Sequence, residues 1–254
     1  MLESLDISGA FLLIKGWCAD NLSNLFGGSL RNNGKHSVHL ILASNSPRRK
    51  ELLRLGGLDF RILPADVDET PRNAEPADRY VLRLAETKAR AVASQAEQGE
   101  WIVAADTTVA DREQILGKPV DAADAMGMLL NLRGREHQVY TAVAVFDPHT
   151  GRMQTELAAT NVPMRAYSRQ EIQEYIATGD PFDKAGSYAI QHPEFHPVEV
   201  LSGCYANVVG LPLCHLDRAL RGLGISFSDD LPEKCQVHLQ FDCTVYPQVQ
   251  KGEI

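Results

Sequence analysis

The sequence predicts an α/β protein built on a twisted, mixed β-sheet flanked by helices. Apolar runs of strand length, such as Val38–Ala43 and Trp101–Ala105, alternate with segments of helical periodicity. Glycine, proline and small polar residues punctuate the changes of period. Two further runs, 138–146 and 155–164, read as a strand pair joined near Pro148-His149-Thr150-Gly151.

The first strand, Val38 to Ala43, passes through Ser44-Asn45-Ser46 into a helix over Pro47 to Leu55. Pro47 suits the first helical position, with Ser46 before it as N-cap. Such a turn gathers free backbone N–H groups and the positive end of a helix dipole. Arg48 and Arg49 oppose that dipole, which makes sense if an anion binds there. The six residues alone fit a solvated basic helix start equally well.

Phe60-Arg61-Ile62-Leu63 is a short strand, and Asp78 to Glu97 a long amphipathic helix. Val81, Leu84, Ala85 and Lys88 fall at i, i+3, i+4 and i+7, so Lys88 shares the core-facing stripe. A lysine there snorkels or meets an anion, and snorkelling is the commoner fate. The buried strand Trp101–Ala105 ends in Asp106, followed by Thr107-Thr108. Ligands of open α/β sheets gather beyond the carboxyl ends of strands; a turn-forming aspartate is the alternative.

Asp121 to Leu132 is a helix, and Ser168 to Thr178 another, with Ser168 and Glu171 forming a capping box and Gly179 closing it. Gly203 to Leu213 reads as a turn feeding the last helix, Leu211 to Leu223, which Gly224 ends. Residues 1–36 are expected to be an N-terminal extension with a glycine-rich linker, 37–225 the working domain, beginning near Val38, and 226–254 an appended tail without clear periodicity.

Of 254 residues, 44% are hydrophobic, enough for a packed core. The net charge of -8 argues against stable nucleic-acid binding, which needs a basic face. Five cysteines without a C-x-x-C pair suggest a reduced, cytoplasmic chain without a zinc site. No apolar run reaches the ~20 residues of a membrane helix. Glu3, Asp6 and Lys15 break any signal-peptide pattern around Ala10–Ile14.

Asp66, Asp68 and Glu69 form an acidic cluster, ordinarily a solvated loop, but able to hold a divalent cation opposite a polyphosphate. Gly117 and Pro119 fix the backbone around Lys118 and leave its amine free to reach. The run from Asp183 to Gln191 ends in an amide suited to a nucleobase edge, or in an ordinary surface glutamine. Pro193 and Pro197 break any helix that would align His192 and His196 on a metal. Cys204 and Cys214 read as packing residues.

Taken in order, several segments resemble the Maf family of nucleoside triphosphate pyrophosphatases. They are Leu42–Arg49, Asp68-Glu69, Ala85–Ala89, Ala105-Asp106-Thr107, Gly117-Lys118-Pro119, Asp183–Gly186 with Ile190-Gln191, and Asn207–Pro212. The resemblance covers about residues 38 to 225 and implies two lobes around a deep cleft, often in a dimer. It implies metal-dependent hydrolysis, with Mg²⁺ or Mn²⁺, of a nucleoside triphosphate to monophosphate and pyrophosphate, a house-cleaning role in the nucleotide pool. Ser44, Arg48, Lys88 and Lys118 would grip the triphosphate. Asp106 would accept the proton of the attacking water, and Glu69 would assist it at the metal. Arg49, Thr107 and Gln191 would govern substrate choice. Ile190-Gln191 is like the dTTP and UTP branch rather than that for 7-methylguanosine triphosphate. His192–Pro197 replaces the glycine-bearing loop common after that glutamine. A non-catalytic nucleotide-binding regulator of cell division is the rival reading, though it has no use for Asp106 with Glu69. The related inosine triphosphate pyrophosphatase group fits Pro47-Arg48-Arg49 less well.

Overall fold

The computed structural model describes residues 38–254. The expected extension, residues 1–36, lies outside them. Strand β1 (His39–Leu42) runs parallel to β2 (Asp59–Ile62) on one side and to β3 (Glu100–Asp111) on the other. Antiparallel pairing then carries the sheet from β3 to β5 (Glu136–Phe146) and β6 (Met153–Pro163). The order is β2-β1-β3-β5-β6, with β4 (Gln114–Leu116) folded back antiparallel on the end of β3. The sheet is therefore mixed and open, as the alternation of periods implies.

Strand alternation divides the apolar side chains between two faces. Leu40 and Leu42 of β1, Val103 and Ala105 of β3, and Val143 and Val145 of β5 share one cluster. Against them pack Leu52 and Leu53 of α1 (Pro47–Arg54) and Leu213, Leu216 and Leu220 of α6 (Leu213–Arg221). Ile41, Ile102, Ala104, Ala142 and Ala144 point to the other face. There α2 (Ala77–Ala91) presents Val81, Leu84 and Ala85. Beyond the last β1 pairing, Val109 of β3 and Val139 of β5 join a third cluster. It is closed by α3 (Ala122–Leu132) and α4 (Arg169–Ala177). Each fully buried Leu, Ile or Val contributes roughly 1.5–3 kcal/mol, and these clusters hold the layers together. The capping box of α4 is present, with Ser168 Oγ accepting from the Glu171 N–H and the Glu171 carboxylate accepting from the Ser168 N–H.

The structure corrects the sequence reading at four places. The long helix expected to reach Glu97 ends at Ala91, and a 3-10 turn at Ala93–Gln95 follows. The strand expected to stop at Ala105 continues to Asp111, because pairing with β5 persists through Ala110 opposite Gln138. Asp106 is thus a mid-strand residue. It lies just past Leu42–Val103, the last β1–β3 pair, so it still faces the carboxyl end of β1. The segment Gly203–Leu213 holds a short helix of its own, α5 (Tyr205–Val209).

The fourth correction concerns residues 226–254, which form α7 (Leu231–Leu239) and α8 (Tyr246–Lys251) packed on the domain. Phe227 and Leu231 enter the cluster around α1 and α6, and Val249 is buried. Phe227 lies so close over Gly56 that a Cβ there would come within 2.4 Å of its ring. Arg218 of α6 donates to the carbonyls of Val249 at 2.9 Å and Ile254 at 2.6 Å. Cys204, Cys214, Cys235 and Cys243 meet at this junction as free thiols.

Candidate active site

A pocket of about 480 Å³ opens where β1 turns into α1 and β3 runs on past the end of β1. The nine side chains to which the family resemblance gives a role line it: Ser44, Arg48, Arg49, Glu69, Lys88, Asp106, Thr107, Lys118 and Gln191, whereas Asp66 and Asp68 of the acidic cluster do not. The nine come from positions up to 147 residues apart along the chain, and the volume is in the usual range of ligand sites.

The turn after β1 supplies the first wall. Ser46 caps α1, its Oγ accepting from the Arg49 N–H at 3.4 Å, and Pro47 takes the position where no N–H is needed. Ser44 Oγ accepts from the Ser46 N–H at 3.2 Å. The N-terminal turn of α1 lines the pocket, so its dipole and the Arg48 N–H favour an anion there.

Lys88 does not snorkel. It is buried, and its Nζ donates to Asp106 Oδ1 at 2.5 Å and pairs with Glu69 Oε1 at 2.6 Å. The spacing on α2 put it on the core stripe, and the anion that makes this tolerable comes from β3 and the 66–75 loop. Glu69 is held there by its backbone, since the Tyr80 hydroxyl of α2 donates to its carbonyl at 2.9 Å. Arg83 and Glu75 close the loop with a bidentate pair at 2.6 Å.

Burial pushes the Asp106 carboxyl above its ordinary value, while Lys88 and Arg49 pull the other way. Glu69 has the opposite net direction. Burial raises it, but the hydrogen bond and charge of Lys88, with Lys118 and Arg49, hold it below the usual carboxylate range. Two neighbouring carboxylates thus differ in basicity, and the buried one is the stronger base.

Arg49, expected to take part in substrate choice, is hydrogen-bonded within the protein. Its guanidinium donates to Gly210 O at 2.9 Å, Ala105 O at 2.8 Å, Thr107 Oγ1 at 3.1 Å and Ser44 Oγ at 3.4 Å. Four of its five N–H groups are consumed in tying α1, β3 and α5 together. Gly210 adopts φ 114°, and a Cβ on it would approach Thr107 Oγ1 at 3.2 Å. Arg48 and Lys118 line the same pocket without a hydrogen-bonded partner among the described residues. Gln191 stands exposed at its edge.

Other side chains around the site carried no individual role in the sequence reading. Lys184 is buried, with its Nζ on Asp180 and Asp183, so it shapes the wall rather than offering a free cation. Tyr188 lines the pocket and shares a 2.7 Å hydrogen bond with His137 Nε2 behind it. Thr141 and Asn207 are fully buried just below Thr107. The signal for Thr141 was a hydroxyl among Val139, Val143 and Val145, on the apolar face of one strand.

No group of three or more His, Cys, Asp or Glu side chains is arranged to hold a metal among the described residues. No helix among them is long and apolar enough to cross a membrane.

An open mixed sheet, with a helix start, two cations without hydrogen-bonded partners among the described residues and two carboxylates in one pocket, defines an α/β protein with a charged cleft beside the end of β1. Residues 39–223 match the Maf-like protein family, and the chain belongs to that family. Its relatives include a dTTP/UTP pyrophosphatase of Citrifermentans bemidjiense, 49% identical over 185 residues, 73% of this chain and 95% of the relative. Proteins of the same name from Dehalococcoides mccartyi and Myxococcus xanthus are 39% and 49% identical. Those alignments cover 81% and 68% of this chain, and 90% and 87% of the relatives. A solved structure, that of the Staphylococcus aureus Ham1 protein, aligns with a TM-score of 0.35 at 14% identity, over 50% of this chain and 72% of that one. That likeness is too slight to add to the fold assignment.

Proposed function

We propose that this pocket hydrolyses nucleoside triphosphates to the monophosphate and pyrophosphate, with dTTP and UTP as its preferred substrates. The observation that carries the reading is the Lys88–Asp106–Glu69 cluster beside two unpaired cations, Arg48 and Lys118. Relatives named for that activity, matched over nearly their whole length, support it.

The chain's own residues account for each part of the reaction. The α1 turn with Ser44 and Arg48 receives phosphate oxygens, and Lys118 reaches in from the opposite loop. Asp106, made more basic by burial, takes a proton from water whose oxygen attacks the α-phosphorus. The bond from that phosphorus to the bridging oxygen breaks, and pyrophosphate leaves with the electron pair. Lys88, Arg48 and Lys118 stabilise the charge that grows on the leaving oxygens, each contact contributing on the order of 10²-fold.

Glu69 and Asp106 form an oxygen-only donor pair, and Mg²⁺ or Mn²⁺ takes one or two carboxylates together with substrate phosphates. These two side chains suit such an ion, with phosphate oxygens and water completing its shell. When bound, it would supply Lewis-acid neutralisation of the triphosphate.

Arg49 enters substrate choice by holding Thr107 and the α5 carbonyl end in place, while Gln191 at the pocket edge meets the base. We place the activity in the cytoplasm as a house-cleaning step on the nucleotide pool. Incubation with dTTP, UTP and Mg²⁺ or Mn²⁺, followed by a pyrophosphate assay, tests the reading. Pyrophosphate release is expected, whereas tight nucleotide binding without turnover would leave a non-catalytic regulator.

A further inference from the structure

The hydroxyl proton of Thr107 has one place to go. Thr107 Oγ1 already accepts from Arg49 Nη2 at 3.1 Å. The Thr107 and Thr141 hydroxyls are 2.9 Å apart, and Thr141 Oγ1 is 2.9 Å from the carbonyl oxygen of Asn207. A carbonyl only accepts, so the single Thr141 proton is committed to Asn207. Thr141 must then accept from Thr107. The chain of donors runs from Arg49 through Thr107 and Thr141 to the Asn207 carbonyl, with no freedom of sense.

Both ends of the chain are fixed. Arg49 is tied to the carbonyls of Ala105 and Gly210. Asn207 Nδ2 donates to Val139 O at 3.0 Å and to Thr160 Oγ1 at 2.9 Å, which holds α5 against β5 and β6. Thr141 is fully buried and is no part of the pocket wall, whereas Thr107 is partly exposed on it.

We propose that Thr141 is a positioning residue for base choice: by drawing the Thr107 proton inward, it leaves Thr107 able to offer a ligand only a lone pair. A hydroxyl restricted to accepting favours a ring N–H donor, as uracil and thymine carry at N3. It disfavours cytosine, whose N3 is an acceptor. This deepens the reading given above and rests on it, since it takes the pocket to hold a pyrimidine nucleotide.

Removing the Thr141 hydroxyl at constant shape, Thr141→Val, frees the Thr107 proton to turn outward and donate. The affinities of the α,β-imido analogues of UTP and CTP, which are not cleaved, provide the readout. The preference for the uracil analogue is expected to fall on the order of tenfold in Thr141→Val, the worth of about one hydrogen bond. Thr141→Ser, which keeps the hydroxyl, is expected to retain it. An unchanged ratio in Thr141→Val, or a wild type that binds the cytosine analogue as tightly as the uracil one, would overturn the inference. If the wild type favours the uracil analogue but releases no pyrophosphate from UTP, the hydrolytic reading falls while the affinity ratio still tests Thr141. Should Thr141→Val fail to fold, the wild-type protein decides by NMR. A slowly exchanging Thr107 hydroxyl proton is expected, and a rapidly exchanging one contradicts the chain.

Discussion

Lys88 and Asp106 meet at 2.5 Å in the floor of the pocket, one from the core-facing stripe of α2 and the other from the middle of β3. Both side chains are under 10% exposed. The pair explains why a lysine sits on an apolar stripe, and it places a buried carboxylate where a phosphate ligand would lie.

Asp106→Asn keeps the shape of the side chain and removes the base. Pyrophosphate release should fall by roughly 10²–10⁴-fold, while nucleotide affinity stays near that of the wild type. Wild-type-like turnover in this variant would take Asp106 out of the mechanism.

Lys88→Met leaves two carboxylates facing each other, the buried Asp106 without its cation. Breaking such a pair costs about 3 kcal/mol when one charge remains buried. Glu69 is half exposed and adds little to that figure. Urea denaturation should report the loss together with a collapse of activity. Stability equal to the wild type would mean the ion pair is not formed.

The acid limb of kcat/KM should lie above the ordinary carboxylate range. Asp106 works as a base only when ionised, and burial raises its value, so the active fraction declines as pH falls through that raised value. A rate that stays flat down to the usual range of an exposed aspartate would contradict the assignment.

Stability should weaken on mild acidification for a separate reason. Burial pushes His137 and His215 from 6.5 down to about 4, and each has a buried Nδ1 without a partner. Between those values the unfolded chain binds protons that the folded one does not. Their contribution is therefore complete above pH 6.5 and is lost as pH falls toward 4. The full effect is on the order of 3 kcal/mol for each. Urea midpoints from pH 7.5 to 4.5 measure it, and His137→Phe with His215→Leu should flatten the curve. A slope unchanged in that double variant would exclude these histidines.

Removal of residues 226–254 should lower the denaturation midpoint, although the family match ends at residue 223. Phe227, Leu231 and Val249 are buried, and each such contact contributes roughly 1.5–3 kcal/mol. A shortened chain as stable as the full one would show that α7 and α8 are merely attached.

Much of the site was legible because each local signal has a local cause. The Ser46 cap, Pro47 and the α4 capping box depend on residues at most three apart, and the apolar run that ends β5 is readable within the strand itself. Lys88 was harder: spacing put it on the buried stripe but could not distinguish a snorkelling amine from one paired with Asp106. The Arg49 partners at Ala105 and Gly210 lie 56 and 161 residues away, so no pattern around Arg49 announces that its fork is already filled. The C-terminal helices of nine and six residues, each with a proline in its first turn, are too short to set up a readable period. The polar run Asp106-Thr107-Thr108 hid the continuation of β3, which only the pairing with β5 explains.

The roles of Asp106, Arg48, Lys88 and Lys118 in hydrolysis require that water strikes the phosphorus bonded to the ribose. Turnover of UTP in ¹⁸O-labelled water, with mass analysis of both products, reports this directly. Heavy oxygen should appear in UMP and be absent from pyrophosphate; label in pyrophosphate, or UDP and orthophosphate as products, would contradict it.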